Sequence, residues 1–286
     1  MRIFYYKVKP SDDGMLLQDF LKRRHGYSRR LIIELKRGGL TVNGSHRRMV
    51  DPVQAGDQVE VRLGEDEGLN LTPNPALQAA VLYEDEDLVA FDKPAGMTVH
   101  PCALHYDDSL GNFFAARYQT EGLAFRPLYR LDRDTTGICV SAKNTLAAGL
   151  LMGKLEKRYL AIAEGQLPQD AGTINAPLVR LPGSIISRQV AAGGQRAVTH
   201  YRVLARTASH TLAELSLETG RTHQIRVHLA YLGCPLAGDT LYGGHTDAIG
   251  RQALHCWKLW LPECLGRAET TLFAPVPPDF FLSPKV

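Results

Sequence analysis

Apolar positions recur with two different periods along this chain. Residues 15–25 place Leu16, Leu17, Phe20 and Leu21 at helical spacing, with Lys22, Arg23 and Arg24 beyond them. Ser28 suits the N-cap of a second helix that buries Leu31, Ile32 and Leu35 and ends at Gly38-Gly39. Leu40-Thr41-Val42 reads as a short strand turned by the hairpin signal Asn43-Gly44, and Val50, Val59, Val61 and Leu63 supply further strand. From there on strands dominate. Stretches 88–91 and 138–140 read as buried strands from continuous apolar runs, 157–163 and 212–217 from alternation, and 198–203 as a further strand. Two helices interrupt them. Asn144 caps one with Leu146, Leu150 and Leu151 at apolar positions, and Thr222 caps another with Ile225, Leu229 and Leu232 on one face and Gly233 at its end. Many short strands with few helices predict an α+β fold built on a large, mostly antiparallel sheet.

Charge and composition divide this pattern into two units. Residues 1–63 hold thirteen Lys and Arg against seven Asp and Glu, a surplus of six where the whole chain carries +3. The basic character is therefore N-terminal and points to a small polyanion-binding unit on a near-neutral body. Glu65-Asp66-Glu67-Gly68 is an acidic break, followed by two prolines before residue 76. These signals predict a basic unit over 1–64, a linker over 65–78 and a larger domain over 79–286. No apolar run approaches the roughly 18 residues that span a membrane, and the N-terminus lacks the pattern of a signal peptide. Five scattered cysteines without a Cys-x-x-Cys pair suit reduced thiols in the cytoplasm.

Candidate chemistry concentrates in Arg130-Leu131-Asp132-Arg133-Asp134, where two carboxylates and two guanidiniums precede an apolar strand. Taken alone, such a cluster is more often a solvated loop. His223 and His228 are five residues apart, about 140° around a helix, which does not suit a shared metal ion. No glycine-rich phosphate loop is present, so no nucleotide cofactor has a visible address.

The order of residues from Arg130 to Gly137 resembles the catalytic signature of the RluA-type RNA pseudouridine synthases. Tyr129 and Thr136 stand where that family usually has His and Ser. Further stretches are similar to the family's other motifs: Lys93-Pro94-Ala95-Gly96, Lys157-Arg158-Tyr159, the run from Gly220 to His228, and Gln252-Ala253-Leu254-His255. The resemblance implies a pseudouridine synthase fold with a central cleft. It implies Asp132 as the catalytic carboxylate, kept charged by a two-point contact with Arg226, and Tyr159 stacked on the target uracil. Arg130 is expected to enter the space a flipped uridine vacates, Lys93 and Pro94 to line the cleft, and Leu254 to pack beneath it. The N-terminal unit resembles the RNA-binding domain of the ribosomal protein S-four type, with Arg23, Arg24, Arg29, Arg30, Lys36 and Arg37 facing phosphates.

The function implied is isomerisation of specific uridines in structured RNA by a monomeric cytoplasmic enzyme that needs no metal and no cofactor. Ribosomal RNA is the first candidate substrate and transfer RNA the second. Both routes open to Asp132, attack at the anomeric carbon and removal of the neighbouring ribose proton, need an ionised carboxylate. Two other readings compete with this one. A non-catalytic RNA-binding or ribosome-assembly protein on the same fold would not need Asp132, Tyr159 and Arg226 intact. A glycoside hydrolase would need Asp132 and Asp134 to face one sugar together.

Overall fold

The strand Thr136–Ala142, all seven of whose residues are buried, is the spine of the larger unit. It runs antiparallel to Leu88–Lys93 on one side and parallel to Leu254–Leu261 on the other. The computed structural model describes residues 2–63 and 71–280, so the acidic break at 65–68 lies outside the described residues. Eight strands follow in spatial order: Ala80–Glu84, Leu88–Lys93, Thr136–Ala142, Leu254–Leu261, Glu156–Glu164, His210–Leu217, Val198–Arg206 and Ala171–Asn175. Arg126–Pro127 and Thr270–Phe273 pair beside this path and make ten strands. Among the described pairings of this sheet, only that of Thr136–Ala142 with Leu254–Leu261 is parallel. The α+β class and the mostly antiparallel sheet expected from the alternation are both present.

That parallel junction needs a glycine. Gly137 has φ +106°, and a Cβ there would fall 2.3 Å from the Cys256 carbonyl oxygen. The strands meet this closely only because position 137 has no side chain. Beside it, Thr136 Oγ1 lies 2.8 Å from His255 Nδ1, which joins the two strand ends with a buried hydrogen bond. Phe91, Phe114, Ile138, Val140 and Leu259 form the adjoining core and are fully buried. Each such side chain contributes about 1.5–3 kcal/mol through its burial.

In the N-terminal unit, Gln58–Leu63 lies between Arg2–Lys7 and Leu40–Val42, antiparallel to both. Leu17–Asp19 continues as a wider helical turn over Phe20–Arg24, and Arg29–Leu35 follows with Ser28 Oγ accepting from the Leu31 N–H at 3.2 Å. Two expectations need correction, and one strand was not foreseen. Val50 is in a turn and 53% exposed, so it adds no strand. Asn43 and Gly44 do turn the chain with positive φ, yet the segment after them only bridges Val42, whose strand pairs with Gln58–Leu63. The strand Arg2–Lys7 was not expected, because only Phe4 among its side chains is buried and no alternation marks it.

The two units share a border. Leu146 of the body belongs to the apolar cluster of the N-terminal unit, with Leu150 and Leu265 packed against it. Arg2 reaches Glu86 at 2.6 Å and Asp87 at 3.1 Å. Asp87 also accepts from Asn144, the cap of the helix Thr145–Leu151 that carries Leu146.

Candidate active site

The signature residues form a loop that enters the central strand, and three separate contacts hold it. Lys93 is fully buried, and its ammonium donates to the carbonyls of Pro94, Met97 and Arg133 at 2.7–2.8 Å. Burial lowers the Lys93 pKa to about 8. Asp134 accepts from the Gly96 N–H at 3.2 Å, and Arg251 donates to the Asp134 carbonyl at 3.1 Å. Sequence reasoning assigned Lys93 and Pro94 to the cleft lining. The structure instead has Lys93 clamping the loop from behind, with all three donors used on backbone. Both residues border a different hollow, of about 590 Å³.

With the loop fixed, Asp132 faces a cleft of about 750 Å³ that also receives Arg130, Tyr159, Arg226 and Leu254. Tyr159 comes from the strand Glu156–Glu164, Leu254 from the start of its own strand, and Arg226 from the helix Gln224–Tyr231. Thr222 does not cap that helix. His223 does, with φ +57° and no side-chain capping bond, because a tight turn replaces the extended approach that an N-cap threonine requires.

Arg226 Nη1 donates to Asp132 Oδ2 at 3.2 Å. The two-point contact goes elsewhere: Nε and Nη2 donate to the Asp239 carboxylate at 2.7 and 2.8 Å. The Arg226 side chain is 8% exposed and that of Asp239 1%, while Asp132 keeps 27% of its surface in the cleft. Burial alone pulls the Arg226 pKa down, but Asp239 and Asp132 together hold it above its ordinary value. A cation with one carboxylate behind it and one in front is fixed in orientation as well as in charge.

Asp239 escaped the sequence reading. It sits in the turn Gly238-Asp239-Thr240-Leu241-Tyr242-Gly243, thirteen residues after Arg226, and only the fold brings the two together. Asp134 is turned away to Arg133 and the Gly96 N–H, so Asp132 and Asp134 do not face one ligand as a hydrolase pair would. Burial raises the Tyr159 pKa well above its ordinary value, which keeps the ring a neutral phenol. Lys157 lies 4.5 Å from the centre of the Tyr129 ring on the same wall. Arg130 is exposed at the mouth and forms no ion pair with a described residue.

The other predicted cations are on the N-terminal unit. Arg24 is bound to Asp12 at 2.6 Å, and Arg23 lies 3.8 Å from Asp19. Arg29, Arg30, Lys36 and Arg37 are exposed. Arg29 and Lys36 share a groove of about 350 Å³ with Lys22, which the sequence reading had left out of the phosphate-facing set.

Known proteins are similar to this chain along most of its length. A family model described as RNA pseudouridylate synthase matches residues 87–231. The chain is 40% identical over 263 residues to the uncharacterized RNA pseudouridine synthase YjbO of Bacillus subtilis, across 89% of this chain and 93% of that one. It is 38% identical over 269 residues to the ribosomal large subunit pseudouridine synthase D of Pseudomonas aeruginosa, across 86% and 83%. Among solved structures, human RNA pseudouridylate synthase domain containing 4 aligns with a TM-score of 0.57 at 29% identity, covering 70% of this chain and 89% of that one. Human RNA pseudouridylate synthase domain containing 1 aligns with a TM-score of 0.59 at 24% identity, covering 71% and 85%.

Proposed function

This chain belongs to the RNA pseudouridylate synthase family and is an RNA pseudouridine synthase of that fold, an isomerase; we propose that Asp132 carries its chemistry and that ribosomal RNA is its substrate. The observation that carries the reading is the Arg226 guanidinium, held from behind by Asp239 and donating to Asp132 at 3.2 Å in the cleft.

Isomerisation breaks the bond from ribose C1′ to uracil N1, with the electron pair leaving on the base. The base then turns, C5 bonds to C1′, the hydrogen leaves C5, and N1 gains one. Nothing is oxidised and no water is consumed, so the atoms balance without a cofactor. Attack at C1′ and removal of the 2′ proton both use the Asp132 carboxylate, which Arg226 holds in place through a hydrogen bond of 3.2 Å. The target must leave its stack, at a cost of a few kcal/mol. Stacking on Tyr159 offsets about 1–3 kcal/mol of that. Arg130, exposed at the mouth, is suited to fill the vacated space.

The basic groove of Lys22, Arg29 and Lys36 belongs to a unit we assign to the ribosomal protein S-four type, binding duplex phosphates by shape. A relative named for the ribosomal large subunit favours that RNA, with transfer RNA second. We assign the enzyme to the cytoplasm as a monomer. Among the described residues no helix is long and apolar enough to cross a membrane.

Mapping pseudouridines in total RNA from cells with and without this gene tests the substrate. Loss at discrete positions of large-subunit ribosomal RNA is expected. Loss confined to transfer RNA would replace the target, and an unchanged map would overturn the reading.

A further inference from the structure

His223 occupies the turn before the helix Gln224–Tyr231 with φ +57°, a left-handed conformation that histidine and asparagine adopt more readily than most residues. The turn gives its two ring nitrogens different surroundings. Nδ1 lies 2.8 Å from the Tyr242 hydroxyl. Nε2 faces the cleft, 3.9 Å from Asp132 Oδ2. That gap is too long for a direct hydrogen bond.

The hydrogen bonds of Tyr242 and the nearby Asp132 charge together favour one tautomer. The Tyr242 hydroxyl is 3.0 Å from the Arg188 backbone N–H, which can only donate to it. Among the described residues the hydroxyl has no acceptor for its own proton except His223 Nδ1. With Tyr242 donating to Nδ1, the ring hydrogen of a neutral His223 is on Nε2, which turns an N–H rather than a lone pair toward the Asp132 carboxylate. Burial lowers the His223 pKa, with Asp132 and Asp239 opposing and Arg226 and Arg188 reinforcing it, so the neutral ring is the working form. Burial likewise raises the Tyr242 pKa and keeps its hydroxyl protonated. An N–H with no hydrogen-bond partner among the described residues thus points into the cleft beside the carboxylate.

We infer that His223, held in this tautomer by Tyr242, donates its Nε2–H to an oxygen of the target nucleotide beside the glycosidic bond. The inference rests on Asp132 as the catalytic carboxylate. When the N1–C1′ bond breaks, the electron pair spreads from N1 onto O2 and O4 of the uracil. O2 is bonded to the carbon next to N1 and stays near C1′, so a donor at the Asp132 carboxylate meets the charge as it develops. The ribose 2′-hydroxyl is the other acceptor at that distance. His223 is then a substrate-contacting donor, and Tyr242 is a positioning residue acting through it.

The test uses the full chain, an unmodified ribosomal RNA transcript, single-turnover release of the C5 hydrogen, and RNA affinity measured in parallel. His223→Phe should slow release about 10- to 100-fold at unchanged affinity. His223→Gln, whose amide reaches the Nε2 position, should recover most of the rate. His223→Asn suits φ +57° best but carries its amide near Nδ1, so it should stay as slow as His223→Phe. Tyr242→Phe should lose part of the rate. A 2′-deoxyuridine at the mapped target separates the two acceptors: the His223→Phe deficit persists if O2 accepts and vanishes if the 2′-hydroxyl does. Full activity in His223→Phe, or His223→Asn matching His223→Gln, would overturn the donor role. Turnover by Asp132→Asn would instead overturn the assignment of Asp132, which keeps the two failures apart.

Discussion

Arg29 and Arg226 carry the same guanidinium in opposite circumstances. Arg29 is exposed beside Lys22 and Lys36, on a groove of the N-terminal unit. Guanidinium donors exposed in this way are free to meet phosphate oxygens. Arg226 is buried, and its donors are divided between Asp239 behind and Asp132 in front. Removing a surface cation from such a groove weakens attraction at a distance and leaves the fold alone. Removing the buried one strands two carboxylates, one of them almost wholly out of water. On the proposed function, the N-terminal groove serves to hold RNA, while the cleft holds one charge in one place.

The largest effect that would break this contrast is at Arg226. Replacement by Ala leaves Asp239 and Asp132 without their cation, a defect of about 3–5 kcal/mol when a buried pair is broken. Turnover should fall by at least about 100-fold, with lowered thermal stability alongside. Arg226→Lys should recover little, since an ammonium cannot grip Asp239 at two points and still reach Asp132. Near-normal turnover in Arg226→Ala would mean that the pairing is incidental.

Asp239→Asn comes next. It keeps the shape but removes the charge behind Arg226 and leaves part of the guanidinium without an acceptor. A loss of about 1–3 kcal/mol is expected, read as roughly 10- to 100-fold in kcat with RNA affinity unchanged. An affinity change without a kcat change would move Asp239 from the cleft's account to that of the RNA-binding surface.

The smallest effect belongs to the groove. Replacing Lys22, Arg29 and Lys36 with Gln should leave kcat at saturating RNA intact. RNA affinity should weaken and depend less on salt, each lost phosphate contact flattening the log–log slope by about 0.7–0.9. An unchanged salt slope would remove this groove from the RNA footprint.

Much of this contrast was legible in the sequence, wherever a signal was local. The caps at Ser28 and Asn144 lie beside the helices they start, and the strands around 138–140 and 157–163 are marked by apolar residues within the strands themselves. Asp132, Tyr159, Arg226 and Leu254 were nominated from contiguous motifs, and they line one cleft. What escaped depends on pairing across the chain. Asp239 is marked only by a turn. Lys93 is a cation in a loop until the fold surrounds it with three carbonyls. The cap at Thr222 failed because composition does not reveal a residue at φ +57°. Nothing near Leu146 announces that it completes the core of the other unit.

The central claim is that one carboxylate carries the chemistry while affinity for RNA is set elsewhere. The most direct measurement compares single-turnover pseudouridine formation and RNA affinity in the wild-type chain and in Asp132→Asn. The substitution keeps the volume and removes the charge. Turnover should vanish while the dissociation constant stays within about threefold, because no phosphate-facing cation has changed. Pseudouridine formation by Asp132→Asn at a substantial fraction of the wild-type rate would contradict the account.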